Sequence, residues 1–345
     1  MRIGLAFDMK GPGGAAPPGL PPDRPDDCPD DLPDDLDEEY DPPTTVASIQ
    51  DAIAAHGHEV VRLGGGREFM EKVLKERLDF VFNLSEGRGT YRSREGQVPS
   101  VLEMLGIPYA FSDPLTLSLS LDKPLTKKLV ASSGVAVAPD WVVKSTNDLS
   151  HLEGRKLPFP LFVKPAFEGS SKGIRRASRV QDGASLRAVA GGMLRDYKQP
   201  VMVEGFVAGD EYTVGVLGNG DARALGAMRI RPKAGPDPHF VYSIEVKRDW
   251  ENEVAYDVPA PLEEKALRRL YDDAVKAFHA IGCRDLARVD FRVREGVPVF
   301  LEINPLPGLS PTYGDLPILA RGMGTPYPDL MGRILDTAFA RCGLV

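Results

Sequence analysis

Ala287-Arg288-Val289-Asp290-Phe291-Arg292-Val293 and Val299-Phe300-Leu301-Glu302-Ile303-Asn304 alternate apolar and polar residues on either side of a turn at Glu295-Gly296-Val297. In an extended strand, alternate side chains share a face, so the two runs predict an antiparallel hairpin. Val289, Phe291, Val293, Val299, Leu301 and Ile303 are expected on its apolar face. Arg288, Asp290, Glu302 and Asn304 are expected on the other. A three-residue turn sets Asp290 opposite Glu302 and Arg288 opposite Asn304, at the ~5 Å spacing of cross-strand pairs. Facing carboxylates repel unless a cation lies between them, and the oxygen-only set of Asp290, Glu302 and Asn304 suits Mg²⁺. A solvated polar sheet face is the bland alternative. It does not explain why Glu302-Ile303-Asn304 runs straight into Pro305-Leu306-Pro307-Gly308.

Two upstream segments fit the same chemistry. Phe159-Pro160-Leu161-Phe162-Val163-Lys164 is an apolar strand that delivers a lysine at its end. The loop Glu168-Gly169-Ser170-Ser171-Lys172-Gly173 follows, rich in backbone N–H and hydroxyl donors of the kind that hold phosphate oxygens. A glycine–serine turn beside a surface lysine is the ordinary alternative. Val201 to Thr213 alternates again and carries acids; Glu204 and the backbone after it could receive an adenine amino group, and Glu211 a ribose hydroxyl.

The rest of the 345-residue chain supplies ample core for two or three domains. From Asp8 to Asp41 twelve acids meet only Lys10 and Arg24, which makes one segment strongly acidic; the remainder, with 40 basic and 38 acidic residues, is nearly neutral. Lys10 to Pro43 also holds ten of the 31 prolines. Proline lacks a donor and like charges repel, so this insert is expected to be a mobile, solvated surface loop. Around it, a strand at the N-terminus, a helix over Thr44–Ala55, a strand over His58–Leu63, a helix over Phe69–Arg77 and a strand over Leu78–Leu84 predict a parallel sheet covered by helices. A helix over Val98–Leu105 and a strand beginning at Ile107 complete an α/β domain at 1–120. A central unit at 121–210 and a C-terminal unit at 211–345 follow, with helices over Lys123–Ser133, Ser185–Leu194, Glu263–Ile281 and Pro328–Arg341, and antiparallel strands between them.

Several functions lose ground on composition. A net charge of −8 argues against a general nucleic-acid binder. No run of ~18 apolar residues predicts a membrane span. Three scattered cysteines (Cys28, Cys283, Cys342) give neither a disulfide framework nor a metal knuckle, as expected of a cytoplasmic protein. The five histidines lack metal-ligand spacing, and neither a phosphate-binding G-x-x-x-x-G-K-[ST] loop nor a G-x-S-x-G nucleophile turn occurs.

Taken together, the motifs resemble the ATP-grasp superfamily and, more closely, the D-alanine–D-alanine ligase family. The resemblance rests on Phe82-Asn83-Leu84, Glu103-x-x-Gly106-Ile107-Pro108-Tyr109, Leu121-Asp122-Lys123, Lys164-Pro165, Gly169-Ser170-Ser171, Gly209-x-Glu211-Tyr212-Thr213, Val258-Pro259-Ala260, Arg288-Val289-Asp290 and Glu302-Ile303-Asn304…Pro307-Gly308 in order. It implies an N-terminal parallel-sheet domain followed by two domains that clasp ATP between antiparallel sheets. It further implies phosphate binding by Lys123, Lys164 and, from a mobile loop, Lys247. Adenine binding falls to Glu204 and the Val207 backbone, and ribose binding to Glu211. Closure of the loop bearing Glu168, Ser170 and Ser171 over the γ-phosphate is implied too. Two Mg²⁺ (or Mn²⁺) ions would sit on Asp290, Glu302 and Asn304, and Arg288 with the Gly308 N–H would stabilise an oxyanion. The implied reaction joins a small carboxylate to an amine, amino acids among them, through an acylphosphate; the family suggests a homodimer.

Departures from the family pattern fall on the substrate side. Arg248 stands where the family has a tyrosine beside the mobile-loop lysine, and Gly314, after Tyr313, where it has a carboxylate-binding serine. The family's N-terminal glutamate has only Glu39 or Asp41 as a counterpart. Ser85-Glu86-Gly87 and Ser93-Arg94-Glu95-Gly96 replace His-Gly and Gly-Glu-Asp-Gly. The implied activity is therefore a ligase of this type. D-Alanine–D-alanine ligase itself, serving peptidoglycan precursor synthesis, and a non-catalytic ATP-binding module are the alternatives.

Overall fold

In the computed structural model, which describes residues 1–10 and 33–344, short apolar strands and amphipathic helices build three sheets. The N-terminal sheet holds β1 (Arg2–Phe7), β2 (Glu59–Gly64) and β3 (Phe80–Leu84), all parallel, in the order β2-β1-β3. Helices α1 (Pro43–Ala55), α2 (Gly66–Val73), α3 (Gln97–Leu105) and α4 (Pro114–Leu121) belong to the same stretch of chain. Ile3, Leu5, Phe80 and Phe82 point to α1, whereas Ala6 and Val81 point to α2 and α3. That two-sided burial is why the strands read as continuous apolar runs. The strand expected at Ile107 amounts to one bridge, between Tyr109 and Val81.

The central unit comprises α5 (Lys123–Ser132), β4 (Asp140–Val143), α6 (Thr146–Glu153), β5 (Leu161–Pro165), β6 (Arg179–Val180), α7 (Gly183–Asp196) and β7 (Val201–Gly205). Its four strands are antiparallel, in the order β4-β7-β5-β6, with Leu149, Leu152, Leu186 and Ala190 packed on one face. The C-terminal unit comprises β8 (Asp210–Gly218), β9 (Arg223–Pro232), α8 (Ile244–Arg248), α9 (Trp250–Glu253), β10 (Val254–Asp257), α10 (Glu264–Ala280), β11 (Asp285–Arg294), β12 (Val297–Asn304), α11 (Asp315–Gly322) and α12 (Tyr327–Cys342). Its sheet is antiparallel in the order β10-β9-β8-β11-β12. Leu270, Ala274, Ala277 and Phe278 form the buried stripe of α10 and cover it. Helix α12 returns to the N-terminal sheet, where Ile334 and Phe339 join Ile49 and Phe80.

Two expectations change. The insert at Lys10–Pro43 is partly outside the described residues, Cys28 included. Residues 33–42, however, do not lie free in solvent. Asp35 is fully buried, accepting hydrogen bonds from the Gly173 N–H (2.9 Å) and the Tyr197 hydroxyl (2.8 Å). Glu39 is buried against Arg94 (2.7 Å) and Lys172 (3.2 Å). Mutual repulsion among the acids is outweighed by cations that the central unit brings to meet them. The second change concerns the hairpin. Its turn is the two-residue Glu295-Gly296, both with positive φ (54° and 75°), the geometry that best matches strand twist. The lost residue is recovered by a bulge beside Asp290, so Asp290 still faces Glu302 and Arg288 still faces Asn304. The bulge moves Leu301 to the polar face and Phe300 into the core against Phe291. Val299 also leaves the main core, packing with Ala138 and Val207.

The bulge makes a testable ordering. Phe300→Ala should destabilise the protein by about 3–5 kcal/mol and Leu301→Ala by less than about 1 kcal/mol in urea unfolding. The reverse ordering would place Leu301 in the core.

Candidate active site

The hairpin floor faces β5 and β7 across a cleft, side chains from both sheets line it, and α5 packs beside it. Asp122 caps α5 by accepting from the Leu125 N–H. Lys123 and Lys127, four residues apart, consequently share one helix face. Lys123 reaches Glu302 (2.9 Å) and Lys127 hydrogen-bonds Glu204. Lys164, at the cleft end of β5, approaches the other Glu204 oxygen at 2.8 Å. Burial alone would raise the Glu204 pKa, but Lys164 and Lys127 outweigh it and push the carboxyl down to about 2. Burial also works to discharge Lys164; Glu204 and Glu302 reverse that and hold it charged.

On the hairpin, Arg288 contacts both Asp290 oxygens (3.2 and 2.9 Å) and lies 3.8 Å from Glu302. Thr213 donates to Asp290 at 2.7 Å, and the Asn304 amide lies 3.4 Å from it. Burial raises the Asp290 pKa, with Arg288 opposing. Glu302 shows the opposite outcome: burial is outweighed by Lys123, Lys164 and Arg288, and its carboxyl falls well below the usual range. Asp290, Glu302 and Asn304 thus converge as expected. They are two acids and an amide; among the described residues no three His, Cys, Asp or Glu side chains form a metal cluster. The oxygen-only donor set fits a hard divalent cation, whose charge would displace the cations now neutralising the acids.

Glu211 sits at the cleft rim 3.3 Å from Arg292, and Glu211, Ser171 and Val207 all line the cleft. The Val207 carbonyl accepts from Arg292 at 3.0 Å, and the Arg292 guanidinium stacks 4.8 Å from the Phe206 ring centroid. Ser170 and Ser171 have φ of 48° and 60°, and Gly173 φ 73°, so the loop turns through successive left-handed residues. A Cβ on Gly173 would come within 2.4 Å of the Pro165 ring. Lys247, expected on a loop, is instead on α8, its ammonium 4.9 Å from the Tyr242 ring centroid and open to the cleft.

A second, larger cavity continues from the cleft, sharing Lys247, Arg288, Tyr242 and Asp315 with it. Ser170, Glu39, Asp41, Arg248, Gly308, Tyr313 and Gly314 line it. Glu168 does not line either space. It is buried with Arg94 (3.0 Å), Lys172 (2.8 Å) and Gln199 (2.6 Å), so its expected contact with nucleotide gives way to an internal ion-pair network. Arg248 is already occupied: it grips Asp34 (2.7 Å) and Glu38 (3.0 Å) of the docked segment. Tyr313 meets Thr45 at 3.4 Å. A Cβ on Gly314 would strike the Ser310 carbonyl oxygen at 2.7 Å and that of Gly308 at 2.9 Å, so the backbone here leaves no room for the serine of the family pattern.

Sequence reasoning missed Lys127, although its four-residue spacing from Lys123 announces it. It also missed Asp315, 3.4 Å from Arg288 and 3.3 Å from the Tyr242 hydroxyl; nothing in the local sequence signals that contact.

Residues 129–336 match the family model described as D-ala D-ala ligase C-terminus. A D-alanine–D-alanine ligase of Pelotomaculum thermopropionicum is 31% identical over 308 residues, spanning 87% of this chain and 92% of that protein. Another, of Syntrophotalea carbinolica, is 35% identical over 297 residues, spanning 86% and 91%. The chain belongs to the D-alanine–D-alanine ligase family. Solved structures agree on the fold. The D-alanine–D-alanine ligase of Bacillus anthracis, complexed with ATP, superposes with a TM-score of 0.71 at 21% identity, covering 99% of this chain and 98% of that one. A D-Ala:D-Ser ligase of Enterococcus faecalis gives 0.71 at 20% identity, covering 98% and 99%. Membership in this family makes the chain an ATP-dependent ligase forming a C–N bond. No helix among the described residues is long and apolar enough to cross a membrane.

The Glu204 clamp has a pH signature. Its folded pKa is depressed, so the stability it contributes is complete above the unfolded value of 4.5 and is lost as pH falls toward about 2. Relative to wild type, Glu204→Gln should therefore melt lower at pH 7 and lose less on acidification. Parallel melting curves across that window would mean that the carboxylate carries no such linkage.

Proposed function

We propose that this ligase joins two small substrates, a carboxylate and an amine with amino acids foremost, using ATP in the cleft and the larger cavity for the reacting pair. The observation that carries it is the convergence of Asp290, Glu302 and Asn304 on one hairpin face, opposite Lys164 and beside Arg288.

In the first step the substrate carboxylate attacks the γ-phosphorus of ATP, releasing ADP and leaving an acylphosphate. In the second the amine attacks the acyl carbon, phosphate departs and the nitrogen loses a proton. Carboxylate and triphosphate repel each other, so the chain must bring positive charge to both. Lys164, Lys123 and Lys247 border the route of the phosphates and neutralise their oxygens. Bound Mg²⁺, held by Asp290, Glu302 and Asn304, would supply further charge neutralisation and alignment of the triphosphate. Arg288, fixed by Asp290 and Asp315, and the Gly308 N–H meet the charge that develops on the tetrahedral oxygen. The Ser170–Ser171 loop, tied at Gly173 to Asp35, covers the site and keeps water from the acylphosphate. Consumption of ATP, an intracellular metabolite, supports a cytoplasmic location.

The relatives' names favour one narrower reading, in which both substrates are D-alanine. Phosphate release with D-alanine alone separates it from the broader assignment.

Incubation with ATP, Mg²⁺ and a panel of amino acids should release phosphate, and Glu302→Gln should abolish release while leaving the far-ultraviolet circular dichroism intact. Arg288→Met should lower kcat by about 10²–10³-fold, the usual loss for an oxyanion donor. A Glu302→Gln protein that turns over normally would remove the hairpin from the mechanism.

A further inference from the structure

The larger cavity is lined by more carboxyl groups than a neutral amino-acid pair needs. Glu86, Glu95 and Asp41 all line it, and none has a cation within 4 Å among the described residues. Glu95 is only 7% exposed, and its carboxylate has no hydrogen-bond partner there. Most cations around the same space are engaged elsewhere: Lys123 on Glu302, Arg288 on Asp290, Arg248 on Asp34 and Glu38; Lys247, which makes no ion pair among the described residues, stands over the Tyr242 ring. Lys10 lies 3.7 Å from Glu38. The consequence appears in their protonation. Burial pushes Asp41 to about 6 and Glu95 to about 7, and burial together with Glu95 raises Glu86 well above the carboxylate range.

Independently of the acids, the cavity is aromatic. Tyr40, Tyr242, Trp250, Tyr256 and Tyr313 line it. Ring faces attract organic cations, and Lys247 already sits over one of them. The three acids are not close enough to form a metal cluster, which suits a ligand long enough to span them. Glu86 also stands where the family pattern has a histidine, so the present chain adds an acid to this wall, while Glu95 keeps a carboxyl where the pattern has an aspartate.

We propose that one of the two substrates carries an additional ammonium group, as a basic amino acid or a diamine does, and that Glu95, Glu86 and Asp41 select it. This inference rests on the ligase assignment for the role of the cavity but concerns only what the cavity binds. The α-ammonium of an ordinary amino acid offsets one carboxylate; a second cationic group offsets another and displaces the protons that burial holds there.

The test compares lysine with norleucine, its uncharged isostere of similar length, in both chiralities. Calorimetric titration is run with no ATP present, alongside phosphate-release assays with ATP and Mg²⁺. Lysine should bind at least about tenfold more tightly than norleucine, the factor given by one charge-assisted hydrogen bond. Its binding heat should vary with buffer ionisation enthalpy, because protons leave the carboxylates. Glu95→Gln should bring the two affinities together, and wild-type selectivity alone decides the matter if that variant does not fold. Selective binding without phosphate release from lysine alone would sustain the inference, and adding the amino-acid panel as second substrate then tests the reading of the reaction separately. Phosphate release that proceeds equally with norleucine, or binding of neither compound, would overturn the inference.

Discussion

Carboxylates withdrawn from water must be met by cations, and in this protein that requirement joins the central and C-terminal units at one place. Glu204 lies between Lys164 of its own sheet and Lys127 of α5; Glu302 on the opposite sheet takes Lys123 from the same helix. Helix α5 therefore ties both walls of the cleft with two lysines on one face. Removing either partner would leave an uncompensated buried charge, at a cost of roughly 3–5 kcal/mol. The same arrangement prepares the cleft for an anion: its cations are held charged by acids that can release them when stronger charges arrive.

A second network does the equivalent work behind the loop. Arg94 and Lys172 hold Glu39 and Glu168, and Asp35 holds Gly173, so the docked acidic segment and the Ser170–Ser171 turn form one connected piece. Arg248 extends it to α8 by gripping Asp34 and Glu38. The side chain standing in for the family tyrosine thus serves as a latch to the insert. Its guanidinium is spent on the protein's own carboxylates, which shifts the burden of substrate choice to other residues of the cavity.

Much of this was legible in the sequence because it depends on local periodicity. Alternation along 287–304 announced the hairpin, and the position of Asp290 opposite Glu302 followed from the spacing. The route to that pairing differed, since a two-residue turn and a bulge together shift register just as a three-residue turn does. Face assignment suffered for it, at Leu301 and Phe300. The docking of Asp35 and Glu39 was not legible: composition predicts solvation, and only the fold reveals that Arg94 and Lys172 meet Glu39 and that Arg175 lies 3.2 Å from Asp35. Glu168 was misplaced for the same reason, because a loop motif does not say which way each side chain turns. Lys127 could have been found from its helical spacing; Asp315, brought to Arg288 from a distant helix, could not.

The most direct test of the exchange of counter-charges is a titration with Mn²⁺ followed by electron paramagnetic resonance, with and without a non-hydrolysable ATP analogue. If Asp290, Glu302 and Asn304 give up Lys123 and Arg288 to divalent cations as the triphosphate arrives, Mn²⁺ binding tightens sharply with the analogue in wild type and is lost in Asn304→Ala. Equal Mn²⁺ affinity in both proteins, or no dependence on the nucleotide, would contradict the account.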